Sequence, residues 1–449
     1  MRKGECRLTT YVGLLVNNKR FTMKILTVRQ IRSAFENAGS CTPGRTVLMA
    51  SRVAARAAIR RLGCVGSRHR SSGPSLPTPA TYGTPASAGT PEAAAVAAAA
   101  ERVAVGDVAT SLVKHGFAVV DGALDGVLGE TRDDAPSADR ETTTLAERLR
   151  DELLRLASSP GVMRPNATVL VRPDGTRARL EKGHIFEAEM HALSASEALA
   201  APALRAVAED RSLLTLLNVM LPSVAQTQLR HQVVKLQRNA GFGGCFPLHF
   251  DSDARVDGRR VTVLTYLNPD WRDGDGGELI LYPFPLRAPV KIEPKMGRVV
   301  LFSAANMLHS VEPSVGPRDR LCFTQWFFAR NEEASASRAS PPVGTAGTET
   351  ETVNDDNSDD AWAQARALCR PELRRHLAKA VFAETWEASI RNAHPPSAAR
   401  ADALETHARE VATIARALAG RYPEGVRLVA RVAESGTEQE KERLGVTWL

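Results

Sequence analysis

The feature that most limits the fold is a run of short apolar segments between residues 225 and 330. Each segment is rich in β-branched and aromatic residues and is separated from the next by Gly, Pro, Asn or Asp, as expected of strands joined by turns. The segments read "TQLRHQVVKLQ", "RRVTVLTYLN", "GGELILYPF", "GRVVLFSA" and "RLCFTQWFFA". Helical periodicity precedes them at 92–115 and 144–157, with the short strand "GFAVVDG" between. Helices followed by antiparallel-looking strands predict an α+β domain built on a β-sandwich or jelly roll.

Segments of biased composition divide the chain. The stretch 331–360 holds eight acids, one arginine and no aromatic residue, so it cannot bury enough apolar surface to order itself. After it, "ALCRPELRRHLAKAVFAETWEASIRNA" has apolar residues at helical spacing. The predicted parts are a disordered basic N-terminal region (1–91), a domain (92–330) with its core at 225–330, an acidic disordered linker (331–360) and a separate helical C-terminal region (361–449).

The charge is unevenly distributed. The net charge of +7 arises from residues 1–80, where 15 Lys and Arg face two acids, and the rest of the chain holds 43 basic and 49 acidic residues. The remainder is mildly acidic, so the composition does not support nucleic-acid binding. From Met49 the segment "MASRVAARAAIRRLGCVGSRHRSS" has the composition of a mitochondrial transit peptide. Because 48 residues precede it, a basic arm is the alternative, and the expected compartment is mitochondrial or else cytoplasmic or nuclear.

The apolar runs and the cysteines argue against a membrane-spanning protein and against a secreted, disulfide-bonded one. No apolar run approaches the roughly 20 residues that a membrane span requires. Six cysteines are scattered without CxxC spacing, which predicts free thiols in a reducing compartment and argues against secretion. In the C-terminal region His376, His394 and His407 have no acid at ligand spacing and are interpreted as solvated or helix-end histidines; the helices there are a candidate surface for a protein partner.

The stretch "FPLHFDSD" at 246–253 contains a His-x-Asp pair, His249 and Asp251. On an extended strand such a pair points to one face, which suits two ligands of one metal ion and equally suits a polar strand end. An isolated histidine, His309, follows "VVLFSAANML", which is interpreted as a strand running into a loop. Two imidazoles and one carboxylate leave three adjacent positions of a metal open, which is the facial triad of non-haem Fe(II) oxygenases.

Eleven residues after His309, Arg320 begins the last predicted strand. A buried guanidinium offers a planar, permanently charged fork for a carboxylate. Together with the triad it implies 2-oxoglutarate, bound at the metal through one end and at the arginine through its 5-carboxylate. The Gly276-Gly277 turn lies between the two halves of this pattern.

Other residues compete for a metal. Asp253 stands at i+4 from His249, which is too far along a strand, and Cys245 has no second thiol nearby in the sequence. The cluster His184, Glu187 and His191 lacks the HExxH spacing and is interpreted as a strand running into a helix start.

The stretch 225–330 resembles the catalytic core of the Fe(II)/2-oxoglutarate dioxygenases, in the prolyl 4-hydroxylase branch. "DGRRVTVLTYLNPDW", "GGELILYPF", "KIEPKMGRVVLF", "LHSVEPS" and "RLCFTQWFF" are especially similar to hypoxia-factor-type prolyl hydroxylases, and "HGFAVVDGALD" resembles that family's N-terminal strand. The resemblance implies Fe(II) bound by His249, Asp251 and His309, with 2-oxoglutarate as co-substrate and L-ascorbate as a supporting reductant. It implies hydroxylation of a prolyl residue in a protein or peptide.

The same resemblance assigns further residues. Arg320 matches the basic residue for the 5-carboxylate because it lies six residues before Trp326; Arg318 is the alternative. Tyr266 matches a tyrosine whose hydroxyl donates to the same carboxylate, and Thr324 lies on the face of Arg320. The family's tyrosine in the strand before His249 is absent, so either Gln237 or Asn239 positions the co-substrate in its place or no residue does. A lysyl or small-molecule substrate, or a catalytically silent interaction module, are the alternative readings.

Overall fold

The computed structural model describes residues 89–128, 143–171, 175–221, 228–252, 258–329 and 356–449. Most of the N-terminal region, including the transit-peptide-like segment, lies outside these residues, as do Asp253 and most of the acidic linker. Within them, none of the helices is long and apolar enough to cross a membrane.

A layer of helices comes first in the chain. Thr90 caps the first of them by accepting a hydrogen bond from the Ala93 N–H. The second ends at Gly116, which has the left-handed conformation (φ +81°) that favours glycine. The helices are α1 (Pro91–Val103), α2 (Gly106–His115), α3 (Leu145–Ser158), α4 (Ala195–Leu199), α5 (Pro202–Glu209) and α6 (Ser212–Met220).

Among the described residues, eleven strands form two antiparallel sheets that face each other. They are β1 (Phe117–Val120), β2 (Arg164–Val171), β3 (Arg177–Glu189), β4 (Leu229–Asn239), β5 (Phe246–His249), β6 (Arg259–Tyr266), β7 (Leu279–Tyr282), β8 (Val290–Ile292), β9 (Val299–Ser303), β10 (Leu308–Val311) and β11 (Arg320–Ala329). The larger sheet has the order β1-β9-β6-β11-β4-β3-β2, and the smaller β5-β10-β7-β8. The α+β jelly-roll prediction is confirmed.

The buried apolar side chains form clusters on both faces of the larger sheet. One cluster of buried side chains lies between the larger sheet and helices α1, α2, α3, α5 and α6, and another fills the space between the two sheets around Tyr266, Phe302 and Met307. β11 is central in the larger sheet, with β4 and β6 as its neighbours. Its alternate residues Arg320 and Thr324 therefore point to one face, toward the smaller sheet.

The sequence analysis did not predict the β2–β3 hairpin, and it did not place the C-terminal helices. These helices are α7 (Asp356–Cys369), α8 (Pro371–Val381), α9 (Ala383–Ala393), α10 (Ala398–Arg421), α11 (Pro423–Ser435) and α12 (Glu438–Arg443). They share a buried cluster with β5, β7 and β10 through Leu248, Ile280 and Leu308. The helical block is thus the outer layer of the smaller sheet, and α7 begins inside the stretch assigned to the linker.

Trp448 closes the core between the first strand and the last helices. Its indole is buried and lies where a side chain on Gly116 would stand, since a Cβ there would be 2.4 Å from the ring. Its backbone carbonyl accepts hydrogen bonds from Ser303 Oγ (2.5 Å) and Asn306 Nδ2 (2.8 Å). Trp448 therefore packs against the end of helix α2 and forms hydrogen bonds with the end of β9 and the loop after it.

Two of the C-terminal histidines differ from the sequence-based interpretation. His407 is buried within α10, and its Nε2 contacts the Ala383 carbonyl at 3.0 Å. His394 stands at the end of α9 as expected, but it is buried, and its Nδ1 donates to the Glu181 carbonyl of β3 at 2.7 Å. Neither side chain is solvated, because the helices cover strands that the sequence did not place beneath them.

The buried His394 makes stability depend on pH. Burial lowers its pKa to about 4, against 6.5 in the unfolded chain. Since the unfolded state binds the proton first, stability is complete above pH 6.5 and is lost as the pH falls toward 4. We expect the free energy of unfolding to fall by about 2 kcal/mol between pH 7.5 and 5 through this group. Urea unfolding of His394→Gln at both pH values should show a smaller fall than wild type, and an identical fall would contradict the assignment.

Candidate active site

Three side chains converge between the sheets. His249 at the end of β5 pairs in register with His309 of β10, and their rings lie 4.2 Å apart between centroids. Asp251, two residues after His249, points its Oδ1 at both imidazoles, 3.5 Å from His249 Nε2 and 3.6 Å from His309 Nε2. The ligand atoms all lie within 4.8 Å of one another. Among the residues that the structure describes, this is the only group of His, Cys, Asp or Glu with metal-binding geometry.

Neighbouring groups fix the orientation of the two imidazoles. His249 Nδ1 donates to the Pro247 carbonyl at 2.7 Å, and His309 Nδ1 donates to the Met307 carbonyl at 3.1 Å. A proton on Nδ1 leaves the lone pair of each ring on Nε2, the atom that faces Asp251. Burial, with the nearby His249, lowers the pKa of His309 to about 4, so this ring is neutral at physiological pH, as a metal ligand must be.

The carboxylate is oriented in the same way. Asp251 Oδ2 accepts hydrogen bonds from Thr262 Oγ1 (2.6 Å) and Trp326 Nε1 (3.3 Å), which leaves Oδ1 directed at the imidazoles. Burial alone would raise the pKa of Asp251, but the positive charge that His309 and His249 carry when they are protonated holds it well below its usual range. Two neutral nitrogens and one carboxylate oxygen fit a divalent iron and leave further positions of the metal open.

Arg320 lies in the same cavity and is buried. Its Nε donates to the Gly277 carbonyl at 2.6 Å, and its guanidinium lies 5.1 Å from the Tyr266 ring. A Cβ on Gly277 would be 2.7 Å from Arg320 Cδ, so the glycine of the predicted turn makes room for the arginine. Among the described residues Arg320 contacts a carbonyl, a thiol and a ring but no carboxylate. The buried Tyr266 hydroxyl likewise has no hydrogen-bond partner among the residues that the structure describes.

It costs free energy to bury the Arg320 guanidinium without a carboxylate partner next to the Tyr266 hydroxyl without a hydrogen bond. The carboxylate of a bound dicarboxylic acid would satisfy both groups. Burial raises the pKa of Tyr266, so its hydroxyl stays protonated and able to donate. The residues present therefore fit the 5-carboxylate of 2-oxoglutarate.

The structure separates the alternative residues. Arg318 lies at the surface, with 52% of its side chain exposed, and binds the Asp270 carbonyl and Asp275. Asn239 is committed to a loop, where its Nδ2 donates to the Gly244 carbonyl and to Ser314 Oγ. Gln237, in contrast, lines the cavity.

The cavity itself has a volume of about 410 Å³. Its inner wall includes the triad and Arg320, with Thr324 and Gln237 beside them, while Tyr266 lies against Arg320 without lining the cavity itself. Gln237 Oε1 accepts a hydrogen bond from the Cys322 thiol at 3.3 Å, so its amide N–H groups are the ones available to a ligand. Asparagine 239 and Arg318 lie outside this wall.

The outer wall contains residues that the sequence analysis missed. Lys182 of β3 contacts Asn166 and Thr168 of β2, and burial lowers its pKa to about 8. Lys235 forms an ion pair with Glu187 at 3.0 Å. Alternation along β4 places Lys235 on the face of Gln237 and would have indicated it; Lys182 had no such signal, because its hairpin was not predicted.

The other metal candidates do not assemble. His184, Glu187 and His191 lie along β3 and the turn after it, where Glu187 pairs with Lys235 and His191 with Glu189. Cys245 is a free buried thiol, as predicted. Burial raises its pKa to about 11, which keeps it protonated and unsuited to bind a metal.

Comparisons with known proteins agree with this geometry. Residues 234–328 match the family model of the 2OG-Fe(II) oxygenase superfamily. The chain is similar to the hypoxia-inducible factor prolyl hydroxylase of Caenorhabditis elegans, with 30% identity over 174 residues, 36% of this chain and 24% of that protein. It is 36% identical over 98 residues to Egl nine homolog 1 of Homo sapiens, 21% of this chain and 22% of that protein. The chain thus spans about a quarter of the length of these curated relatives.

Among solved structures, the chain is similar to a prolyl 4-hydroxylase from Phytophthora capsici. The TM-score is 0.51 at 26% identity, and the match covers 76% of this chain and 94% of that one. A match of this extent includes more than the residues of the family model, and it confirms the resemblance drawn from the sequence motifs. Residues 234–328, which carry the triad and Arg320, thus match the 2OG-Fe(II) oxygenase superfamily, and the fold around them is similar to that of a prolyl 4-hydroxylase.

Proposed function

We propose that this chain is an Fe(II)- and 2-oxoglutarate-dependent dioxygenase that hydroxylates a C–H bond of a prolyl residue in a protein or peptide. The observation that carries the proposal is the convergence of His249, Asp251 and His309 in one cavity with the buried Arg320. Similarity to prolyl hydroxylases supports the prolyl substrate. When bound, Fe(II) and 2-oxoglutarate together supply dioxygen chemistry in which one oxygen atom enters the C–H bond and the other enters succinate, with release of CO2.

In this proposal the residues of the chain divide the work. His249, Asp251 and His309 hold the metal on one side, and the hydrogen bonds behind them keep their ligand atoms aimed at it. Arg320 and Tyr266 hold the 5-carboxylate, with Thr324 as a further hydroxyl at the same wall. Because the guanidinium is already fixed by Gly277 before the co-substrate arrives, little side-chain entropy is lost on binding.

The outer wall would receive the substrate. Lys235 and Arg259 each lie over the ring of Trp326, at 5.1 and 5.0 Å from its centroid. The indole donates to Asp251 through its Nε1, so the substrate-facing wall and the metal ligands are in direct contact. A prolyl ring on this wall would lie close to the metal, and water would be excluded from the reacting bond.

The test is succinate formation from 2-oxoglutarate by the full chain with Fe(II) and ascorbate. Wild type is expected to form succinate slowly without substrate and faster with a prolyl peptide that gains one oxygen atom. His249→Ala should form none, and His115→Ala, a histidine outside the cavity, should match wild type. Products that carry hydroxylysine, or oxidised small molecules, would redirect the substrate assignment. Equal silence of wild type and His249→Ala, without binding of Fe(II) or 2-oxoglutarate, would favour a catalytically silent interaction module.

A further inference from the structure

We propose that Arg375, on helix α8 of the C-terminal layer, is a positioning residue for the metal ligands. The inference rests on the proposed function, because it concerns the geometry of the same triad. It gives the C-terminal helices a role inside the active site that neither the family model, which ends at residue 328, nor the sequence patterns assign.

A single guanidinium reaches the two loops that carry the ligands. Arg375 NH1 donates to the carbonyl of Ser252, the residue after Asp251, and to the carbonyl of Ala305 at 2.8 Å. The Ala305 loop leads directly into His309. The two loops also meet through a hydrogen bond from the Ser252 N–H to the Ala304 carbonyl at 3.2 Å. Arg375 therefore ties the segment after Asp251 to the segment before His309.

The same side chain holds the residue between the first two ligands. The Arg375 guanidinium lies 4.5 Å from the centroid of the Phe250 ring, and cation–π contacts of this kind stabilise by about 0.5–2 kcal/mol. Phe250 stands between His249 and Asp251 in the chain, directly after β5 ends, and packs against the cluster that β5 shares with the C-terminal helices. Holding Phe250 in place therefore fixes the backbone that joins the two ligands.

Helix α9 supports the strand from its open side. β5 is the edge strand of the smaller sheet, with β10 as its neighbour. Ser389 Oγ of α9 accepts a hydrogen bond from the Leu248 N–H at 2.9 Å, and Trp386 lies 6.4 Å from Phe250 between ring centroids. An edge strand of four residues has little holding it in place. The C-terminal layer supplies the contacts that a second neighbouring strand would have made.

Arginine suits this role for physical reasons. A planar guanidinium can donate to two carbonyls from one position, whereas the ammonium of a lysine is a point charge on a flexible stem. Loss of a neighbour that orients metal ligands costs about 10–100-fold in metal affinity or activity in other metal sites. We expect a loss of this size when Arg375 is replaced by a side chain without donors.

The experiment measures metal binding by the full chain, independently of turnover. Co(II) is titrated by calorimetry and visible absorption into wild type, Arg375→Met and Arg391→Met. Arg391 is the matched control, because it lies on α9 with 54% of its side chain exposed and pairs with Glu387. The Co(II) dissociation constant is expected to rise about 10–100-fold in Arg375→Met and to stay at the wild-type value in the control. The absorption band of the saturated variant should also shift, which a general loss of stability would not produce.

The outcomes are separable. The inference is overturned if Arg375→Met has the same Co(II) dissociation constant and absorption spectrum as Arg391→Met. If Arg375→Met does not fold, Arg375→Lys decides: it keeps a cation at Phe250 but one ammonium faces two carbonyls, so weaker binding supports the inference and wild-type binding overturns it. Failure of the proposed function would be seen in the wild-type protein instead. If wild type does not bind Co(II), or binds it equally well after His249→Ala, the metal site does not exist and the inference fails with it.

Discussion

Replacing Asp251 with alanine is expected to abolish metal-dependent activity and to weaken binding of Fe(II) or Co(II) by more than about 100-fold. Loss of a residue that merely orients a ligand costs about 10–100-fold, and Asp251 is the only anionic member of the triad. Without it, a divalent cation would face two neutral imidazoles in a buried site, and its charge would not be compensated. Calorimetric titration of the metal into the purified variant checks the expectation.

The matched control for this change is Thr262→Val. It removes the 2.6 Å hydrogen bond to Asp251 Oδ2 but retains the carboxylate and the volume of the side chain. We expect an intermediate loss of metal affinity, about tenfold, since only the orientation of the ligand changes. Asp251→Ala protein that binds the metal as tightly as Thr262→Val would contradict the assignment of Asp251 as a ligand.

Replacing Arg320 with methionine is expected to raise the KM for 2-oxoglutarate by at least about 30-fold, since truncating one partner of a buried, hydrogen-bonded charge pair costs 2–5 kcal/mol. The KM should rise because Arg320 is only 6% exposed and has no carboxylate partner among the described residues, so its charge is available to the ligand. Succinate formation over a range of 2-oxoglutarate concentrations gives the KM directly.

Arg318→Met provides the comparison, because the two arginines stand two residues apart and only one lines the cavity. This variant should keep the wild-type KM. Metal binding should be unchanged in both variants, which separates an effect on the co-substrate from one on the metal. A larger effect at Arg318 than at Arg320 would reverse the assignment made from the spacing to Trp326.

The metal triad and the jelly roll were predictable because their signals are local. His249 and Asp251 share a strand face by simple alternation, and the strands of 225–330 carry β-branched patterns with clear turns. The choice of Arg320 over Arg318 needed the family spacing, and burial then distinguished the two. Gln237 and Asn239 were equivalent in the sequence, and only the course of the loop at Gly244 showed that Asn239 serves the backbone.

The rest depended on contacts between distant parts of the chain. The sequence analysis interpreted the segment around His184 as a strand but did not pair it with a partner, because the β2–β3 hairpin at 164–189 has polar residues on both faces, and Lys182 could therefore not be assigned to the cavity. His394 looked like a helix-end residue because the sequence does not reveal that α9 lies against β3. Arg375 gave no signal at all: its partners are carbonyls, which every residue has.

The bracing of β5 by α8 and α9 bears on the order of events during synthesis. His249 and Asp251 leave the ribosome long before their supports, since Arg375 follows Ser252 by 123 residues and Ser389 follows Leu248 by 141. Domains fold as units and contacts of large sequence separation form late. A nascent chain that has just completed β11 would present His249 and Asp251 on an unsupported edge strand beside His309. We therefore expect the metal to be acquired after translation, by a chain whose last helices have already docked.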